Sequence, residues 1–151
     1  IRHIGLSNIS ADQLRTALSI TDIAAVTVQY TVAIRAAAAV RQLAQDEGIV
    51  FSPWHPGAIP GGPDGEPFHA VIDPMAQRHG ATPQQIALAW QLHRTPGSLP
   101  IPGTASVQHL KENLAAVHVR LTAAEVDAIT GLATEGVGTD AGSGGLRSAA
   151  Q

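Results

Sequence analysis

Along residues 1–133, short runs of β-forming residues alternate with stretches whose apolar positions recur at helical spacing. His3-Ile4-Gly5-Leu6 predicts a first strand. Ser10, with Gln13 three residues on, forms a capping-box pattern that opens a short helix over Ala11 to Leu18. Ala25-Val26-Thr27-Val28 predicts a second strand, and Ala36 to Glu47 a helix with Val40, Leu43 and Ala44 on one face, closed by Gly48. Ile49-Val50-Phe51 predicts a third strand. A loop over Ser52 to His69 follows, with five prolines and four glycines. A short helix is predicted over Val71 to Arg78. A second begins after Thr82-Pro83-Gln84-Gln85, which places an N-cap, a first-turn proline and a capping partner in order, and runs to His93 with Ile86, Ala87, Leu88 and Trp90 partly buried. Ser98-Leu99-Pro100-Ile101 predicts a fourth strand, Val107 to Ala116 a helix, and the box Thr122 to Glu125 a last helix through Leu132. Residues 134–151 are rich in Gly, Ser and Ala and are expected to form a mobile tail.

Strands alternating with helices predict parallel βαβ units in an α/β fold. A complete eight-unit barrel takes ~250 residues, or about 31 per unit, so this length accommodates four units of a partial (βα)8 TIM barrel. Four parallel strands leave two open edges, and an uncovered apolar inner face is expected. No G-x-G-x-x-G follows any strand, so the sequence carries no Rossmann-type nucleotide fingerprint.

Composition narrows the chemistry. Charged residues are only 14% of the chain and the net charge is −3, with no basic run, so nucleic acid is not an expected partner. No apolar run reaches the ~18 residues of a membrane span. The absence of cysteine excludes disulfides and zinc–thiolate sites. The seven histidines are scattered without metal-ligand spacing, so no metal is expected. No targeting segment is read, which favours a cytoplasmic location. The chain opens with Ile1 directly on an apolar segment, and an upstream part is expected.

In barrels the functional face lies at the C-terminal ends of the strands. Those positions carry Ser7-Asn8, Gln29, Trp54 and Gly103-Thr104. Neutral hydrogen-bonding groups beside a flat aromatic suit a planar, amide-bearing ring such as nicotinamide. The same residues also fit a plainer reading, in which Ser7-Asn8 turns the chain, Gln29 faces solvent and Trp54 packs in the core.

Five segments carry a resemblance, in order along the chain: Ile4-Gly5-Leu6-Ser7-Asn8; Val26-Thr27-Val28-Gln29; Phe51-Ser52-Pro53-Trp54-His55-Pro56; Ala81-Thr82-Pro83-Gln84-Gln85-Ile86-Ala87-Leu88-Ala89-Trp90; and Leu99-Pro100-Ile101-Pro102-Gly103-Thr104 with His109-Leu110-Lys111-Glu112-Asn113-Leu114. Together they resemble the C-terminal half of the aldo-keto reductase barrel, strands five to eight. The resemblance implies that the chain is the cofactor-binding half of an NAD(P)H-dependent carbonyl oxidoreductase acting on a small aldehyde or ketone. It implies NADP(H), with NAD(H) as the alternative. By resemblance Ser7, Asn8 and Gln29 bind the carboxamide and Trp54 stacks on the ring. Thr104 meets the adenosine phosphate region, His109 stands at a position that contacts the same end, and Glu112 and Asn113 hold the adenine and its ribose. The Pro/Gly loop after Trp54 drapes over the pyrophosphate.

Departures from the family pattern matter as much. Many members place Lys where Gly103 stands and Arg where His109 stands, and those cations pair with the 2′-phosphate of NADPH. The family's catalytic Asp, Tyr, Lys and His lie on the first four strands, and none maps onto this chain. Tyr30, the only tyrosine, sits in the wrong segment to donate a proton. The expected partner is therefore a missing N-terminal half, or a second copy of the chain. Two other readings stay open at this level: a non-catalytic nicotinamide-binding or interaction subunit, and a degenerate structural half barrel.

Overall fold

The computed structural model describes residues 1–133, so the predicted tail over 134–151 lies outside the described residues. Three strands, β1 (Gly5–Ser7), β2 (Ala25–Gln29) and β3 (Val50–Trp54), form a parallel sheet in the order β1-β2-β3. Helices α1 (Ala11–Leu18) and α2 (Ala38–Asp46) make the two crossovers. After β3 come α3 (Glu66–His79), α4 (Pro83–Arg94), α5 (Val107–Ala115) and α6 (Ala123–Thr130). This is an α/β fold with the arrangement of part of a TIM barrel. No described helix is long and apolar enough to cross a membrane.

The capping boxes are formed as the sequence dictates. Ser10, Thr82 and Thr122 each accept the backbone N–H three residues on, and Gln13, Gln85 and Glu125 reach back to the cap N–H. Gly48 adopts φ 68° and ends α2 in the left-handed conformation that glycine tolerates best.

Register decides which residues share a face. Leu6, Val26 and Phe51 stand in one row, and Val28 and Pro53 in the next. Val26, Val28 and Phe51 are buried in the core with Leu14, Ile72, Ile86, Trp90 and Ile129. The opposite face carries Gly5, Ala25 and Val50, then Ser7, Thr27 and Ser52, then Gln29 and Trp54. The inner face therefore carries Ser7, Thr27, Ser52 and Gln29 with Trp54 towards its C-terminal end, and is not apolar as the strand pattern suggested.

Three other expectations are corrected. The fourth strand is reduced to a single bridge, Trp54 to Ile101. Leu99 and Ile101 donate backbone N–H groups to Phe51 and Pro53 (2.9 and 3.1 Å), but Pro53, Pro100 and Pro102 lack the N–H groups that continue a ladder. The long loop is shorter than expected, because Ser52 to Trp54 belong to β3 and α3 already begins at Glu66. Pro67 sits in the first turn, where no N–H is needed, and Pro74, inside the helix, is exposed together with Ala70, so the carbonyl it leaves without a donor can reach water. Finally, α4 is buried from Gln85 to Gln91 on all sides, because α3, α5 and α6 all pack on it.

Candidate cofactor site at the strand ends

The three strand ends bring Ser7, Asn8, Gln29 and Trp54 together. Gln29 and Trp54 are register partners, and Ser7 pairs with Thr27 one level below. Asn8 leaves β1 with φ 52°, and its N–H donates to the Thr27 carbonyl at 2.8 Å. The Trp54 indole Nε1–H donates to Asn8 Oδ1 at 2.9 Å. Since β1 and β3 flank β2, this bond spans the end of β2, where Gln29 sits. Trp54 is half-buried and meets the His55 ring edge-on at a centroid distance of 4.9 Å. Neither plainer reading of Trp54 or Gln29 holds fully, since both are half-buried rather than packed in the core or open to solvent.

Thr104 is joined to this end through the Trp54–Ile101 bridge, three residues earlier. Its Oγ1 accepts the Ser106 N–H at 3.1 Å, and the Ser106 hydroxyl in turn caps α5 by accepting the His109 N–H. His109, Glu112 and Asn113 form a second group along α5. His109 is exposed, and Glu112 and Asn113 are half-buried. The Glu112 carboxylate accepts from Gln108 Nε2 at 2.8 Å, while its backbone carbonyl accepts from the buried Gln85 amide of α4 at 2.9 Å, which seats α5 against the bundle.

Thr27, Ser52 and His55 were not picked out from the sequence. Alternation along β2 was sufficient to place Thr27 on the face of Gln29. Nothing in the pattern foretold the left-handed backbone of His55, φ 52°. Tyr30 is fully buried, stacked on Trp90 at 6.0 Å and edge-on to Phe51, and so lies on the helix side of the sheet rather than at the strand ends. Among the described residues no cluster of three metal-ligating side chains occurs.

The Aldo/keto reductase family profile matches residues 1–61 and 64–134. The chain belongs to this family of oxidoreductases. It is 38% identical over 137 residues to pyridoxine 4-dehydrogenase of Escherichia coli, covering 89% of this chain and 46% of that enzyme. Among solved structures it is similar to a thermostable aldo-keto reductase bound to the inhibitor epalrestat, with a TM-score of 0.79, 29% identity and coverage of 87% and 48% of the two chains. It also matches an aldo-keto reductase from Klebsiella pneumoniae in complex with NADPH, with a TM-score of 0.76, 30% identity and coverage of 87% and 48%. The chain thus spans about half the length of the aldo-keto reductases it resembles.

Proposed function

We propose that this chain is the cofactor-binding half of an NAD(P)H-dependent carbonyl oxidoreductase and is not catalytically complete alone. Ser7, Asn8, Gln29 and Trp54 hold the nicotinamide, and Thr104, His109, Glu112 and Asn113 the adenosine end. The observation that carries the reading is the polar sheet face, on which Gln29 and Trp54 stand side by side at the strand ends with Ser7 one level below. A carboxamide needs both donors and acceptors, and the Asn8 and Gln29 amides and the Ser7 hydroxyl supply both. When bound, the cofactor supplies hydride to an aldehyde or ketone. The chain's own residues bind it, orient it and form one wall of the substrate site. The proton donor comes from elsewhere, since Tyr30 is locked in the core. NADP(H) is the expected cofactor from the NADPH-bound relative, and NAD(H) an accepted alternative because Gly103 and His109 supply no fixed cation.

The rest of the barrel is the expected partner: an N-terminal half or, in its absence, a second copy. Exposed apolar side chains next to the first and third strands support this. Ile4 lies just before β1, and Leu99 and Ile101 lie in the segment bonded to β3. Residues 1–133 form the half barrel.

Calorimetric titration of the chain with NADPH tests the reading. Saturable binding, weakened at least ~5-fold by Gln29→Ala through loss of one hydrogen bond, is expected, with no NADPH oxidation above a heat-killed control when 4-nitrobenzaldehyde is added. Absence of binding, or steady turnover, contradicts it.

A further inference from the structure

We infer that Trp54 is a positioning residue that fixes the Asn8 amide with its NH2 group as the ligand-facing donor. This rests on the reading of the strand ends as the nicotinamide site. An asparagine side chain has an oxygen that accepts and a nitrogen that donates, and an unconstrained amide presents either. An indole N–H only donates. The atom 2.9 Å from Trp54 Nε1 must therefore be the Asn8 oxygen, and the NH2 group is turned the other way. Both partners are held independently of each other. The Asn8 backbone is anchored by its N–H to the Thr27 carbonyl and sits in the left-handed region that asparagine tolerates. Trp54 is held by its register with Gln29 on one side and its bridge to Ile101 on the other. Neither anchor requires the side-chain bond, so the bond is free to set the amide's orientation.

The consequence is selectivity by polarity. A held NH2 recognises an acceptor, such as the carbonyl oxygen of a carboxamide, without the cost of turning the amide on binding. Released from Trp54, the same amide divides its time between two orientations, of which one opposes acceptor to acceptor.

A double-mutant cycle on NADPH binding, read by calorimetry, is the test. Trp54→Phe keeps a flat ring and removes the N–H. Asn8→Asp keeps an acceptor for Trp54 and removes the ligand-facing donor. Each single change is expected to weaken binding about 5-fold or more, the size of one hydrogen bond. Trp54→Phe should cost little further once Asn8→Asp is present, because there is no longer a donor to position. Independent, additive losses overturn the inference while leaving the cofactor site standing. No saturable binding by the wild-type chain overturns both. A readout without cofactor guards against variants that fold poorly: the Trp54 indole N–H, assigned in the wild-type chain by nuclear magnetic resonance, should exchange slowly with solvent. Exchange as fast as a free indole overturns the inference, and slow exchange that Asn8→Ala makes fast supports it.

Discussion

The Ser52 hydroxyl donates to the Leu99 carbonyl at 2.9 Å, across 47 residues of sequence. A regular parallel ladder would give that carbonyl the N–H of residue 53, which is proline. Serine thus replaces the missing rung, beside the Leu99 and Ile101 N–H groups that tie the fourth segment to β3. Ser52→Ala should leave a partly buried carbonyl without its donor and cost about 1–2 kcal/mol. Hydrogen exchange at Leu99 and Ile101 should speed up more than at Val26 or Val28. Uniform protection in the variant would contradict this account of the edge.

Arg35 joins the turn after β2 to the last helix. It is fully buried, lies 4.3 Å over the Trp90 ring, and donates to the carbonyls of Thr31 (2.9 Å), Val32 (2.8 Å) and Ile129 (3.3 Å). Arg35→Ala should destabilise the chain by about 3 kcal/mol or more, since it leaves buried acceptors unmatched as well as a cavity. Arg35→Lys should recover little of this, because an ammonium lacks the planar fork. The midpoint of urea unfolding reads the difference, and a loss under about 1 kcal/mol for Arg35→Ala would show the contacts to be incidental.

Glu125 gives stability a pH dependence of definite sign. The Thr122 backbone N–H, then Arg78, His79 and the Thr122 hydroxyl, hold its carboxyl down at about 2, from an ordinary 4.5, against a burial that pushes it up. A depressed folded-state pKa contributes stability that is complete above the unfolded value and is lost as pH falls through the folded one. The window is therefore about 4.5 down to 2. Glu125→Gln keeps the capping geometry but not the charge. Wild type should be the more stable at pH 6, and the two urea midpoints should converge as the pH falls towards 2. A difference independent of pH would remove the charge from the explanation.

Much of this was legible in the sequence. Capping boxes are local chemistry, so the starts of α1, α4 and α6 could be read residue by residue. The β-branched run Ala25-Val26-Thr27-Val28 likewise marked β2. The strand-end residues Ser7, Asn8, Gln29 and Trp54 followed from the same reading, since a parallel sheet gathers its C-terminal ends. What escaped is set by contacts distant in sequence. The weakness of the fourth strand depends on prolines in two different segments. The full burial of α4 depends on three helices around it. The Asn8–Trp54 bond depends on a backbone turn at Asn8 that no periodicity encodes.

The exposed apolar side chains of α5 bear on assembly. α5 has no fully buried residue, and Val107 and Leu114 are 71% and 66% exposed. Without the rest of a barrel, the chain should self-associate, with Leu110 and Leu114 in the contact. Light scattering across a concentration series should give a mass above the monomer, lowered by Leu114→Lys. A compact wild-type monomer that unfolds cooperatively at every concentration would contradict this.

On the proposed function, the strand ends bind a nicotinamide dinucleotide beside Trp54. Tryptophan fluorescence during titration with NADPH and with NADH tests it most directly, because Trp90, the other tryptophan, is buried in the core. Saturable quenching by both is predicted, with dissociation constants within about a hundredfold, or ~2.7 kcal/mol, of each other. Trp54→Ala, read by calorimetry because the change removes the reporting indole, should weaken both cofactors alike, since the ring does not meet the distant 2′-phosphate. Quenching that never saturates, or a Trp54→Ala variant that binds both cofactors as tightly as wild type, would contradict the claim.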